Sequence, residues 1–217
     1  MRKIVITGIG KLSIRPDLVE LTVTIDTFNE NYSELLSEHA RKHGSVKNAM
    51  QSTGLRSEDV KTADYKVRTV YDQVKVGNGN TSTYISKFKG YACSQTLKIR
   101  FDFDNQRLNL AIQNLSDCIA KPRFDIDFTV KDQARVADLL LADAAQNARS
   151  RANILTQAMG ARLGQVVSID YSWNSLHIYS ESRIERDSNL IMSKADMDIE
   201  PENVDVSDHA TFVWEIE

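Results

Sequence analysis

The chain is poor in the features that announce chemistry. It has two cysteines in 217 residues, Cys93 and Cys118. They are too few and too far apart for a disulfide framework, a zinc motif or a redox pair, so both read as small buried hydrophobes. No stretch approaches the ~20 consecutive apolar residues of a membrane-spanning helix, and there is no low-complexity tract or long block of like charge. Basic residues (27) do not outnumber acidic ones (30), and the net charge of -3 argues against a broad phosphate-binding surface. Nucleic acid is therefore not an expected partner. No G-x-S-x-G nucleophile elbow is present. Gly77-Asn78-Gly79-Asn80 leads into strand-like residues and not a helix start, which excludes a phosphate loop and leaves a hairpin turn. The carboxylate pairs Glu58-Asp59 and Asp125/Asp127 precede a strand and lie on a strand's polar face, where charge is usually just solvated. No catalytic residue and no cofactor is assigned.

What is present is pattern. From Asp132 to Gly160, apolar residues recur at Val136, Leu140, Ala144, Ala148, Ala152, Leu155 and Met159, the three-and-four spacing of an amphipathic helix. Asp132 is its N-cap and Gly160 its stop. The small middle residues predict a close approach to whatever lies beneath. Elsewhere the chain reads mainly as alternating strands. Val19, Leu21, Val23 and Ile25 alternate with polar residues; so do Phe124, Ile126, Phe128 and Val130, and the final set from Val204 to Ile216. A second helix runs from about Tyr32 to Ser52 behind Asn31 and Glu34, close to a capping box, with Tyr32, Leu36, Val46 and Met50 on its stripe and Leu35 at the margin. A long hairpin joins Asp59–Val76 to Tyr91–Phe103, with a phase shift between Val67 and Val70 that suggests a bulge or bend. Asp104 caps a short helix carrying Leu108, Ala111, Ile112 and Leu115. Val166–Trp173 is a strand, and Ser175–Asn203 breaks the pattern as a long loop. The order β-β-α-β-β-α-β-α-β-β gives an α+β layer fold, a largely antiparallel sheet covered by helices, in one domain spanning 1–217.

Several strings in this order resemble the SIMPL domain family. They are ITGIGKLSIRPDLVELTVTID (Ile6–Asp26), EDVKTADYKVRTVYD (Glu58–Asp72), GYACSQTLKIRF (Gly90–Phe101), the helix ending AMGARLGQVVSID, and IEPENVDVSDHATFVWEI. The Arg15-Pro16-Asp17 turn and the Gly90-Tyr91 pair are the most telling single features. The resemblance implies an α+β fold, frequent homo-oligomers and no established catalytic residues. It also implies a bacterial setting, with many exported relatives, some linked to oxidative-stress defence, and an animal relative that acts as an adaptor around a pelle-like kinase. The chain departs from the family pattern at Thr156, where alanine is usual, and at His39 and His43, where relatives have small residues. Its N-terminus does not read as a signal peptide, so a cytoplasmic protein is expected as written; a trimmed form would be periplasmic or exported.

The expected function is thus non-enzymatic: a protein that assembles with itself and binds other proteins, with the tie to stress defence that the resemblance implies. The alternative is a metal-binding protein or an unrecognised enzyme built on His39 and His43, which stand four apart on one helical face. That alternative needs a third ligand from elsewhere, such as His177, His209 or an acidic side chain. The same pair, titrating near neutrality, could instead make the helix packing sensitive to pH.

Overall fold

The computed structural model describes residues 2–76, 83–172, 176–186 and 198–217. The expected Gly77–Asn80 turn lies outside them. The described strands form two antiparallel sheets, and the chain divides into two compact units. One comprises Met1–Leu18, Phe128–Ser182 and Pro201–Glu217; the other comprises Val19–Asp127 and Arg183–Glu200.

The first unit is a three-stranded sheet with a long helix. Strand β1 (Arg2–Ile14) pairs with the last strand of the chain, β8 (Val204–Ile216), in unbroken register from Arg2↔Ile216 to Ile14↔Val204. Strand β6 (Leu163–Asp170) lies along the other side of β8, with two register shifts. Helix α3 (Gln133–Ala158) starts where Asp132 accepts from the Arg135 N–H at 2.9 Å. It ends in a Schellman turn: Gly160 adopts φ +67°, and Ala161 N–H donates to the Thr156 carbonyl at 2.9 Å.

The buried residues of α3 are Val136, Leu140, Ala144, Ala148, Ala152 and Thr156, one every fourth position. Four residues advance a helix about 40° beyond a full turn, so the stripe winds slowly, as contact with a twisted strand requires. Leu155 and Met159, expected on that stripe, are instead exposed, Met159 at 83 %. Thr156 takes the buried place because its hydroxyl donates back to the Ala152 carbonyl at 2.9 Å. Facing the stripe are Gly8 and Gly10 of β1, where no side chain would fit. Asn147 and Asp143 accept from the N–H groups of Ile9 (3.2 Å) and Lys11 (2.9 Å). Strand β1 ends its sheet, so these side chains cap an otherwise open edge.

The second unit carries strands β2 (Leu18–Asn29), β3 (Val60–Val76), β4 (Thr83–Asp102) and β5 (Arg123–Thr129) with helices α1 (Tyr32–Gln51) and α2 (Asn105–Asp117). The five-stranded sheet has the order β3-β4-β2-β5-β7. Val19, Leu21, Val23 and Ile25 of β2, Cys93, Leu97 and Ile99 of β4, and Leu108, Ile112 and Leu115 of α2 form its core. Cys118 is only half-buried, unlike Cys93, and both thiols are free.

Three details differ from expectation. On α1, Val46 and Met50 are buried as expected, but in the first turns Leu35 is buried while Leu36 and Tyr32 are exposed. The hairpin has register shifts at Thr62/Asp64 and at Val70/Tyr71, the second placing the extra residue, Lys89, in β4 and not in β3. The segment expected as a loop contains strand β7 (Tyr179–Arg186), the end strand beside β5. The rest of that segment from 187 to 197 lies outside the described residues.

Candidate functional site

Helix α1 carries both histidines singled out by sequence, and the structure separates their situations. His39 is 4 % exposed. Its Nδ1 lies 3.1 Å from Thr27 Oγ1 on β2, and its Nε2 lies 2.9 Å from Gln95 Oε1 on β4. Gln95 Nε2 in turn donates to Thr62 Oγ1 on β3 at 3.0 Å. Because the Gln95 amide nitrogen is engaged there, its oxygen faces His39 Nε2, while Nδ1 shares a hydrogen bond with the Thr27 hydroxyl. Tyr65 packs edge-on against the ring at 5.6 Å. The chain Thr27–His39–Gln95–Thr62 links α1 to three neighbouring strands and engages both imidazole nitrogens.

His43, one turn on, is half-buried. Burial, and after it the electrostatic effects of Lys47 and His39, lower its pKa from the ordinary imidazole value. His177 and His209 are both exposed and belong to the other unit. Among the described residues no three or more His, Cys, Asp or Glu side chains are grouped to hold a metal ion.

Beside this network runs a row of rings that sequence reading missed. Tyr32, at the start of α1, meets Tyr91 of β4 edge-on at 5.3 Å. Tyr91 meets Phe88 at 5.3 Å, and Phe88 meets Tyr71 of β3 at 5.8 Å, both edge-on. The extra residue Lys89 reverses the alternation of β4, turning Phe88 onto the same face as Tyr91. Gly90, with φ +152°, permits this turn: a Cβ there would stand 2.7 Å from the Asn29 carbonyl. Beyond Gly90 the hairpin continues as an arm on which every described side chain, 71–75 and 84–89, is exposed. Tyr71 is 55 % exposed and Phe88 45 %.

The opposite face of the five-stranded sheet is charged and laced with ion pairs. Glu20, its side chain 3 % exposed, is clamped by Lys98 and Arg100, each at 2.6 Å. Burial alone would raise its pKa; hydrogen bonds from Lys98 and Arg100 outweigh that and hold the carboxyl below its ordinary range. Asp26 pairs with Arg123 at 2.7 Å. The Asp125/Asp127 pair is not merely solvated, since Arg183 of β7 reaches both, at 3.5 and 3.6 Å. Burial nevertheless dominates at Asp127 and raises its pKa. Glu58 and Asp59 both pair with Arg56.

Among known proteins, the family described as SIMPL, a protein of unknown function (DUF541), matches residues 4–214, nearly the whole chain and parts of both units. No curated protein matches.

Proposed function

The chain belongs to the SIMPL family, and from that premise we propose a non-catalytic role, in which the whole chain acts as one family domain that assembles with itself and binds other proteins. The observation that carries this reading is the ring row Tyr32–Tyr91–Phe88–Tyr71, interlocked and half-open on the hairpin arm. Four rings of this kind leave on the order of 300 Å² of aromatic surface in water, comparable to the largest apolar patch of a typical monomer. Edge-to-face contacts hold the row in place before any partner arrives, so little side-chain entropy is lost on docking. A second copy of the chain is the first such partner, because identical arms meet at equal concentration.

The reading sits in the cytoplasm or, after export, in the periplasm equally well, and a stress-defence role would be exercised through binding. No helix among the described residues is long and apolar enough to cross a membrane. His39 supports a structural role for its helix face, because both ring nitrogens are engaged inside the protein. Hydroxyl-radical footprinting over a concentration series tests the proposal. Tyr71, Tyr84 and Phe88 become protected as concentration rises, while Ile154 and Met159 on the other unit keep their reactivity. Unchanged labelling of the arm at every concentration contradicts assembly through it.

A further inference from the structure

We propose that the free edge of β3 is a docking strand for an extended polypeptide segment in which apolar and acidic side chains alternate. This rests on the protein-binding half of the reading above and names the chemistry of the partner. Strand β3 stands at the end of its sheet, with β4 as its one neighbour among the described strands. It runs 17 residues, Val60–Val76, about three times an average strand. Edges of that length are normally blunted by proline, bulges, covering elements or charged side chains. Strand β3 carries one extra residue, Ala63, near its start, and the cations Lys61, Lys66, Arg68 and Lys75, which select the charge of a partner strand. Here there is no proline, and from Asp64 to Val76 the extra residue of the second register shift belongs to β4, so β3 itself is unbroken. Every residue from 61 to 69 is exposed.

The chemistry of this edge alternates with the pleat. Tyr65 and Val67 pair with Gln95 and Cys93 on the helix-covered face, and both are exposed at the edge. Lys66 and Arg68 pair with Ser94 and Ala92 on the opposite face. There they form one wall of a cleft of about 580 Å³ that also holds Arg123 and Asp26. Lys66 is bridged by Asp64 at 2.7 Å, whereas Arg68 has no ion pair among the described residues. A strand added to β3 keeps the two-residue period, so residues set against Tyr65 and Val67 are apolar and those set against Lys66 and Arg68 are acidic. A second copy of β3 is the poorer occupant, because no antiparallel register gives both cations an acidic partner. Pairing about Val67 sets Lys66 against Arg68, about Lys66 it sets Lys66 against itself, and about Tyr65 it sets Lys66 against Asp64 but Arg68 against the uncharged Thr62.

The test uses the full chain and two labelled ten-residue peptides, one alternating valine and glutamate, the other valine and lysine. Fluorescence anisotropy gives affinity, and backbone amide shifts locate the site. The glutamate peptide is expected to bind about tenfold more tightly than the lysine peptide, with shifts in β3 from Asp64 to Thr69. In the Lys66→Glu/Arg68→Glu protein the preference reverses, and binding of the lysine peptide shows that the variant is folded. Should that variant fail to fold, the two peptides on the unaltered protein still decide. Equal binding of both peptides, or shifts confined to the ring row, overturns the docking strand while leaving the protein-binding reading intact. A mixture in which only copies of the chain pair through β3 also overturns it.

Discussion

Gly8 of β1 and Ala144 of α3 are in backbone contact: a Cβ on Gly8 would lie 1.9 Å from the Ala144 carbonyl oxygen and 2.7 Å from Ala148 Cβ. No rotamer relieves such a clash, so α3 must move off the strand and surrender the caps on Ile9 and Lys11. Gly8→Ala is expected to destabilise the protein by about 3 kcal/mol, the upper end of overpacking effects. At Gly44, within α1, an added Cβ would meet nothing within 4 Å, and the backbone is not left-handed. Gly44→Ala should stabilise by about 0.5–1 kcal/mol through helix propensity. Thermal unfolding of the two variants gives opposite signs; a neutral Gly8→Ala would remove the close-contact account of α3.

The His39 network makes a separate prediction. His39→Leu leaves Thr27 and Gln95 without their buried partner, at an expected loss of about 1–3 kcal/mol. In a double-mutant cycle with Gln95→Leu the second substitution costs less than it does alone, because the orphaned amide is removed. Added zinc should leave the melting temperature unchanged, since both ring nitrogens are already engaged. A stoichiometric zinc-dependent rise would revive the metal alternative at His39 and His43.

Acid behaviour follows from Glu20. Its folded pKa is lowered, so its stabilisation is fully present above the ordinary value of 4.5 and is lost as pH falls through the folded value. Glu20→Gln is expected to be less stable by about 1–2 kcal/mol at pH 7, less than for a fully buried pair because Lys98 and Arg100 are half-exposed and can rehydrate. The gap between variant and parent closes on acidification, as denaturant titrations at a series of pH values would record.

Asp127 has the opposite sign. Burial raises its folded pKa, so ionisation weakens the fold above that value, and the penalty disappears below the ordinary 3.8. Asp127→Asn should be slightly more stable than the parent at pH 7, by under about 1 kcal/mol, since Arg183 offsets part of the burial. The difference should vanish at about pH 3. A less stable Asn variant at neutral pH would mean the Arg183 attraction outweighs burial.

Much of the fold was legible because its periodicities are long and regular. The fourfold spacing from Val136 to Ala152 and the parity of β8 both survive in the structure. What failed did so for physical reasons. Leu35 and Leu36 are adjacent and chemically alike, so only packing against the sheet decides which is buried. β7, with the sequence YSESRIER, offers one aliphatic residue, Ile184, and is a strand because it lies beside β5 at the sheet's end. The division into two sheets depends on β1 finding β8 at the far end of the chain, a pairing no local pattern encodes. The ring row was hidden for a similar reason: Tyr91 and Phe88 have opposite parity in sequence, and only the extra residue Lys89 puts them on one face. The signal available was an aromatic-rich hairpin longer than the strand beside it.

Absolute mass by light scattering, taken over a concentration series for the parent and for Tyr71→Ser/Phe88→Ser, tests assembly through the ring row most directly. The expected result is a stable multiple of the 24.5 kDa chain for the parent, and a shift toward monomer at the same concentrations for the variant. A parent that stays monomeric throughout, or a variant that assembles identically, would contradict it.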